Sequence, residues 1–323
     1  MLLPVLFDEP RPSQPFLLLQ STAAQSIFPV LRTLCNRPSV HTILCTFLYA
    51  PSTLLVHQSP TVQIRDWTDR VPGYGTSDDF KTELLTAVKG APRDIPLRVV
   101  IDSLETLSEN LASSLEAYEL LYEALRTVKD HPRPSQLILH SLKQDETSEL
   151  FLQTTFSSSL IHLVAHPTAL FRHLAKEYMV SPPPMTPDVK FWSVFIPFSE
   201  RLHEVEKLFF GPGGEGSGGC SEIVIEIIVR GINAQSRKRG TERSLEGWDL
   251  TKNTPCAISD LHDLQSLFSQ KHKAETAPDP VQSLSFNLSK KTDNATVNSG
   301  AIFYDPDSAD DIDDDDPDED LDI

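Results

Sequence analysis

The chain has 323 residues, of which 39% are hydrophobic and 23% charged, and its formal net charge is −18. This length allows one large domain or two ordinary ones with a sizeable core. No apolar run approaches the twenty residues of a membrane helix, and the start, MLLPVLFDEP, lacks the basic region and cleavage site of a signal peptide. The four cysteines are scattered without a C-x-x-C pair, so we predict neither a disulfide framework nor a metal site made from them, and expect a reducing compartment.

Most of the negative charge lies at the C-terminus. From Asp305 onward the chain has twelve carboxylates and no lysine or arginine, and removing them from −18 leaves −6 for residues 1–304. We therefore predict a disordered acidic tail over 305–323 behind a body that is only mildly acidic. Such a body can still carry a basic surface for nucleic acid.

Up to residue 180 the pattern alternates between strand and helix. Largely apolar runs such as 97–101, which only Arg98 interrupts, are typical of strands buried on both faces of a parallel sheet. Strands are predicted at 16–20, 41–48, 53–57, 97–101, 137–142 and 160–165, with residues 58–80 mostly loop. Helices are predicted at 23–34, 80–88, 107–128, 147–156 and 169–178. The apolar face predicted for 107–128 consists of Leu111, Leu115, Tyr118, Leu121, Tyr122 and Leu125. The alternation predicts an α/β fold, a mostly parallel sheet flanked by helices.

After residue 180 the regular alternation of predicted strands and helices ends. Strands are predicted at 191–197 and 223–229, with one helix at 200–209 and a flexible glycine-rich loop at 211–219. We expect these strands to form an antiparallel extension at the edge of the sheet. The predicted organisation is an N-terminal extension over 1–14, a domain over 15–269, a C-terminal extension over 270–304 that makes subunit contacts, and the acidic tail.

The loop after the first strand is the place where phosphate-binding α/β proteins carry G-x-x-x-x-G-K-[ST], the Walker A loop. Here residues 20–26 read QSTAAQS, without glycine or lysine, and that motif occurs nowhere in the chain. We therefore predict no nucleotide hydrolysis by this chain, no catalytic residue and no cofactor.

Asp102 ends the apolar strand 97–101, where P-loop ATPases carry a carboxylate close to magnesium. The alternative is a polar residue where a buried strand meets solvent, and without a phosphate loop we prefer it. The histidines are thinly spread: His162 and His166 flank a strand end, and His140 has no carboxylate or cysteine at ligand spacing. We predict no metal site, and without a G-x-S-x-G elbow a hydrolase triad has no local support.

A basic cluster follows the strand 223–229. Five positive charges within fourteen residues could neutralise several phosphates, and these candidate RNA-binding residues are Arg230, Arg237, Lys238, Arg239 and Arg243. Two other readings stay open: a solvated loop, or capture of the chain's own acidic tail.

Apolar residues also precede the acidic tail. A purely solvating tail does not need them, so they are candidates for docking to a partner, or for packing on their own domain. They form an island at 284–288 and a cluster at 302–304, and the candidate docking residues are Leu284, Phe286, Leu288, Ile302, Phe303 and Tyr304.

Three segments together resemble the fifth subunits of the Elongator complex, of fungal type: QSLSFNL at 282–288, RKRGTERSLEGW at 237–248, and GAIFYDPDSADDIDDDDPDEDLDI at 300–323. The strand VVIDSLETL at 99–107 is similar to a strand of that family's RecA-like fold. The resemblance covers about residues 14–323, and its most specific part is the C-terminal peptide. Residues 289–299 match no motif of the family.

The resemblance implies a RecA-like fold without a Walker A loop and a non-catalytic role. It implies an alternating six-membered ring with the fourth and sixth Elongator subunits, which docks on the catalytic Elongator subunits and binds tRNA. It further implies support of wobble-uridine tRNA modification, in the cytoplasm and nucleus, without a membrane partner. The competing hypotheses are a degenerate P-loop ATPase and an acid-tailed, chaperone-like binding protein.

Overall fold

The structure is a computed structural model that describes residues 1–8, 10–57, 59–70, 78–143, 145–211, 221–232 and 239–269, with the backbone only for residues 78, 79, 232 and 239. Within these residues nine strands form one sheet in the order β3-β2-β4-β5-β1-β6-β7-β8-β9. The strands are β1 (Phe16–Gln20), β2 (His41–Thr46), β3 (Val62–Asp66), β4 (Leu97–Ile101), β5 (Gln136–Ser141), β6 (Leu160–Pro167), β7 (Glu222–Ile232), β8 (Arg239–Asp249) and β9 (Thr254–Cys256).

Helices connect the strands and cover both faces of the sheet. They are α1 (Leu3–Asp8), α2 (Phe28–Cys35), α3 (Pro51–Leu54), α4 (Asp78–Lys89), α5 (Leu104–Asn110), α6 (Ser114–Lys129), α7 (Glu146–Leu152), α8 (Thr168–Glu177), α9 (Asp188–Ser199), α10 (Leu202–Phe210) and α11 (Gln265–Ser269). No helix in the described part of the chain combines the length and the apolarity that crossing a bilayer requires.

The strands β1 to β6 are parallel, and β7 to β9 extend the sheet in antiparallel fashion beyond β6. This confirms the predicted fold class, a mostly parallel sheet flanked by helices with antiparallel C-terminal edge strands. All parallel strands point the same way. We call the border of the sheet formed by their N-terminal ends the amino edge, and the border formed by their C-terminal ends the carboxyl edge.

The core has one cluster on each sheet face and a third beside the antiparallel extension. Strands β1, β4 and β5 are buried along their whole length, which explains their largely apolar sequences. Arg98 interrupts the apolar run of β4 and is itself buried. Residues 1–8, within the predicted N-terminal extension, contribute to the core: Leu3, Leu6 and Phe7 are buried, and Phe7 meets Trp248 edge-on at 5.4 Å. Glu246 accepts the backbone N–H groups of residues 2 and 3.

Two predicted strands are wrong. The segment 191–197 lies within helix α9, because Phe191, Phe195 and Phe198 follow helical spacing into the third core cluster. The segment 53–57 is partly helix α3, which begins at Pro51, and the strand β3 lies instead in the region predicted as loop. As an edge strand of half-exposed residues, β3 lacks the apolar run that identifies its neighbours.

The predicted helix 107–128 is two helices, α5 and α6. Ala112 adopts φ 55°, and the Ser113 hydroxyl accepts the Glu116 N–H, which begins a new helix. The predicted apolar face is also partly wrong, since Leu115 is 63% exposed and Tyr122 48%. Helix α2 begins only at Phe28, so residues 23–27 of the predicted helix 23–34 are loop.

Candidate functional site

The loop after β1 lies at the carboxyl edge, where a phosphate loop would lie. Three of its backbone N–H groups are bonded within the loop: Ile27 N donates to the Ser21 hydroxyl (3.1 Å), Thr22 N to the Gln25 carbonyl (2.8 Å), and Gln25 N to the Thr22 carbonyl (3.1 Å). Ile27 is fully buried at the start of α2. A phosphate cradle needs N–H groups that point to the ligand, and these three point into the loop instead.

Asp102 lies at the same edge, at the end of β4, and is fully buried. Its carboxylate accepts backbone N–H groups from Phe47 (2.7 Å), Leu48 (3.0 Å) and Tyr49 (2.7 Å). Burial raises its pKa to about 6, although these hydrogen bonds act in the opposite direction. The geometry therefore supports the structural interpretation of Asp102, which fixes the loop that follows β2.

His140 joins the ends of three strands. Its Nε2 lies 3.0 Å from the Ser21 hydroxyl, its Nδ1 lies 2.6 Å from the Asp102 carbonyl oxygen, and the Tyr49 ring stacks on it at 6.1 Å. A serine–histidine pair can activate a nucleophile. Here Ser21 is 4% exposed, His140 is fully buried, and the Ser21 hydroxyl already accepts the Ile27 N–H, so a substrate could not reach the pair. The sequence predicts three parallel strands that end at this edge, but not the contact between these side chains.

A second polar cluster lies between β1, β6 and the antiparallel strands, around a cavity of about 180 Å³. His162 Nε2 lies 2.8 Å from Gln20 Oε1, and His166 Nε2 lies 3.0 Å from Glu226 Oε2. Burial lowers the pKa of His162 to about 4. The two histidines thus bond to different partners and do not converge on a common point as metal ligands do.

Two of the candidate RNA-binding residues have described side chains, and both are engaged. Arg230 donates to the carbonyl oxygens of Leu152 (2.5 Å), Ser157 (2.9 Å) and Gln153 (3.3 Å). Arg243 forms an ion pair with Glu226 (2.8 Å). Burial raises the pKa of Glu226, but the hydrogen bond with His166 and the nearby charges lower it by more. Each arginine therefore has a structural role where it stands.

The side chains of the other three candidate RNA-binding residues lie outside the described part of the structure. Arg237 and Lys238 lie outside the described residues, and only the backbone of Arg239 is described, at the first position of β8. Strand β7 ends and β8 begins at the amino edge, because Arg230 of β7 pairs with Leu160 at the start of β6. Also outside the described residues are the glycine-rich loop 212–219 and the six candidate docking residues, Leu284, Phe286, Leu288, Ile302, Phe303 and Tyr304.

No family model and no curated protein matches the sequence. Among solved structures, the chain is similar to a KaiC-like protein from the archaeon Pyrococcus horikoshii, with 11% identity and a TM-score of 0.41 over 77% of this chain and 91% of that one. It is also similar to a DnaB-like replicative helicase, with 9% identity and a TM-score of 0.34 over 74% of this chain and 57% of that one. The fold is RecA-like. This assignment rests on the strand order and on the helices described above.

Proposed function

We propose that the chain is a non-catalytic subunit of a RecA-like ring, in the role of the fifth subunit of the Elongator complex. In this role it alternates with the fourth and sixth subunits, contacts the catalytic Elongator subunits, binds tRNA and supports wobble-uridine modification in the cytoplasm and nucleus. The observation that carries the proposal lies at the carboxyl edge. The two elements that would form a nucleotide site there, the loop after β1 and Asp102, make hydrogen bonds within the protein.

The first element is the loop after β1. Its N–H groups at positions 22, 25 and 27 are bonded internally, and residues 20–26 contain no lysine that could neutralise a phosphate. The second is Asp102, whose two carboxylate oxygens accept three backbone N–H groups. A magnesium ion would have to displace those bonds. Because the loop after β1 and Asp102 already form hydrogen bonds within the protein, we assign this chain a binding role and not a catalytic one.

Measurement of ATP turnover by the purified full-length chain tests the absence of catalysis. We expect no turnover above that of a buffer control. A degenerate P-loop ATPase would instead show turnover that is lost in Asp102→Asn, and that result would contradict the proposal. An acid-tailed binding protein would show binding of basic partners by residues 305–323 alone, with the body dispensable.

The basic cluster provides a test of RNA binding. We expect that replacing Arg237, Lys238 and Arg239 by alanine weakens tRNA binding by the assembled ring and lowers its salt dependence, since each lost phosphate contact releases one counterion fewer. The measurement is a tRNA titration at several salt concentrations. Unchanged affinity and salt slope would remove these three residues from the proposed interface.

A further inference from the structure

A groove runs along the amino edge of the sheet, opposite the edge that carries Asp102. It consists of two hollows of about 520 Å³ and 560 Å³ that share the residues Ser13, Ser158 and Ser159. The first hollow lies at the β7–β8 hairpin and includes Gly240 and Thr241 in its lining. The second lies at the end of α6 and the turn that follows, and its lining includes the basic residues Lys129, His131 and Arg133.

The charged residues described in the lining of this amino-edge groove are all positive. Among the described residues that line the two hollows there are three permanent cations, Lys129, Arg133 and Arg230, and no aspartate or glutamate. Asp130 is adjacent in sequence but is not part of the lining. Most of the other lining residues are serine, threonine, proline and glycine. Cations, hydroxyl groups and exposed backbone are the groups that contact phosphate oxygens in nucleic-acid complexes.

The three cations differ in availability. In the described part of the chain, no hydrogen bond or ion pair engages the Lys129 ammonium group. Arg133 donates one bond, from Nε to the Asp94 carbonyl oxygen (3.1 Å). Arg230 donates both Nη groups to carbonyl oxygens and so supplies positive potential more than a direct contact. Lys129 and Arg133 are therefore the residues that can bind a phosphate.

We propose that this groove binds the phosphodiester backbone of RNA, with Lys129 and Arg133 as phosphate contacts. The inference rests on the proposed function, which supplies RNA as the ligand, and adds a site on the body of the chain. Gly240, in the lining of the groove, directly follows Arg239 of the basic cluster in the sequence.

Lys129 has a second role that the test must separate from RNA binding. It lies in the last turn of α6, where a cation also stabilises the helix end. Gly240 avoids this ambiguity, because a Cβ atom at this position would meet no atom within 4 Å. Gly240→Glu therefore places a carboxylate at the groove without a steric clash at Cβ, and Gly240→Gln is its uncharged match.

The experiment is a titration of the full-length chain, alone and co-expressed with the proposed ring partners, with a labelled tRNA transcript as the probe. We expect Gly240→Glu to weaken binding roughly three- to tenfold relative to Gly240→Gln, because it repels phosphate at the groove. Lys129→Glu should weaken binding further and lower the salt slope by about one. Lys143→Glu, an equal charge change at an exposed residue on the carboxyl edge, is the control and should leave binding unchanged.

The outcomes separate this inference from the proposed function. Wild-type binding that neither Gly240→Glu nor Lys129→Glu alters would overturn the groove and leave the proposed function standing. Equal weakening by Gly240→Glu and Gly240→Gln would also overturn it, since the effect would then be steric. If these variants lose binding to polyglutamate and keep binding to RNA, the groove serves an acidic protein and the inference is wrong. Failure of the wild-type chain to bind tRNA in either form would contradict the proposed function itself.

Discussion

Asp102 is fully buried at the end of β4, and its carboxylate holds the loop that follows β2 through three backbone hydrogen bonds. The sequence predicts that Asp102 ends a buried strand and favours a structural role for it. The contacts of Asp102 support that role. The partners could not be predicted, because Phe47, Leu48 and Tyr49 belong to a loop more than fifty residues earlier in the chain. The same holds for His140, whose partners Ser21 and Asp102 lie on two other strands. Long-range contacts of this kind leave no local pattern.

The environment of Asp102 predicts a pH dependence of stability. Burial raises its pKa in the folded chain to about 6 from an ordinary value of 3.8. Because the folded state binds this proton more tightly than the unfolded state, the contribution of Asp102 to the free energy of unfolding is full below about pH 4 and is lost as the pH rises to about 6. We expect the difference in unfolding free energy between wild type and Asp102→Asn to change over this interval. Urea denaturation at pH values from 4 to 7 measures it, and parallel profiles for the two proteins would contradict the account.

At the scale of elements, prediction succeeded where burial leaves a simple pattern. The strands β1, β4 and β5 are buried on both faces and their sequences are largely apolar, with Arg98 as an exception in β4. The edge strand β3 is half-exposed and was missed. The segment 191–197 of helix α9 predicts a strand because apolar residues also occupy positions between the helically spaced Phe191 and Phe195. In so short an apolar run, helix and strand are hard to tell apart by periodicity.

The strand β8 offers a matched pair of glycines that tests the packing of the antiparallel extension. A Cβ atom at Gly247 would lie 2.8 Å from Cys256 Sγ and 2.9 Å from Leu261, whereas one at Gly240 would meet nothing within 4 Å. We expect Gly247→Ala to lower the free energy of unfolding by about 1–3 kcal/mol through overpacking. Gly240→Ala on the same strand should change it by less than about 0.5 kcal/mol. Urea denaturation of both variants measures this, and equal stabilities would contradict the packing described for β8 and β9.

At the scale of the whole molecule, the two edges of the sheet carry different groups. At the carboxyl edge, Asp102, His140 and the loop after β1 are bonded to one another or to backbone. At the amino edge, a groove with cationic and hydroxyl lining is open. The sequence predicted the absence of a phosphate loop, but it gave no indication of the groove, because its lining comes from five separate segments of the chain. The sequence predicts the candidate RNA-binding residues only as a run of positive charges. Two of them, Arg230 and Arg243, have structural roles in the fold.

The C-terminal segments provide a prediction about assembly. If the apolar residues at 284–288 and 302–304 dock to neighbouring subunits, removing 282–304 should impair ring assembly more than removing 305–323, in which twelve of nineteen residues are acidic. Co-purification of the fourth and sixth subunits with each truncated chain measures the difference. Equal loss, or greater loss on removal of the acidic tail, would assign the docking role to the tail.

The proposal that this chain is a non-catalytic ring subunit is tested most directly by one mass measurement. The full-length chain is co-expressed with the fourth and sixth Elongator subunits, and the intact complex is weighed under native conditions. The account predicts a hetero-hexamer that contains two copies of this chain. A chain that remains alone, or that assembles only with copies of itself, would contradict it.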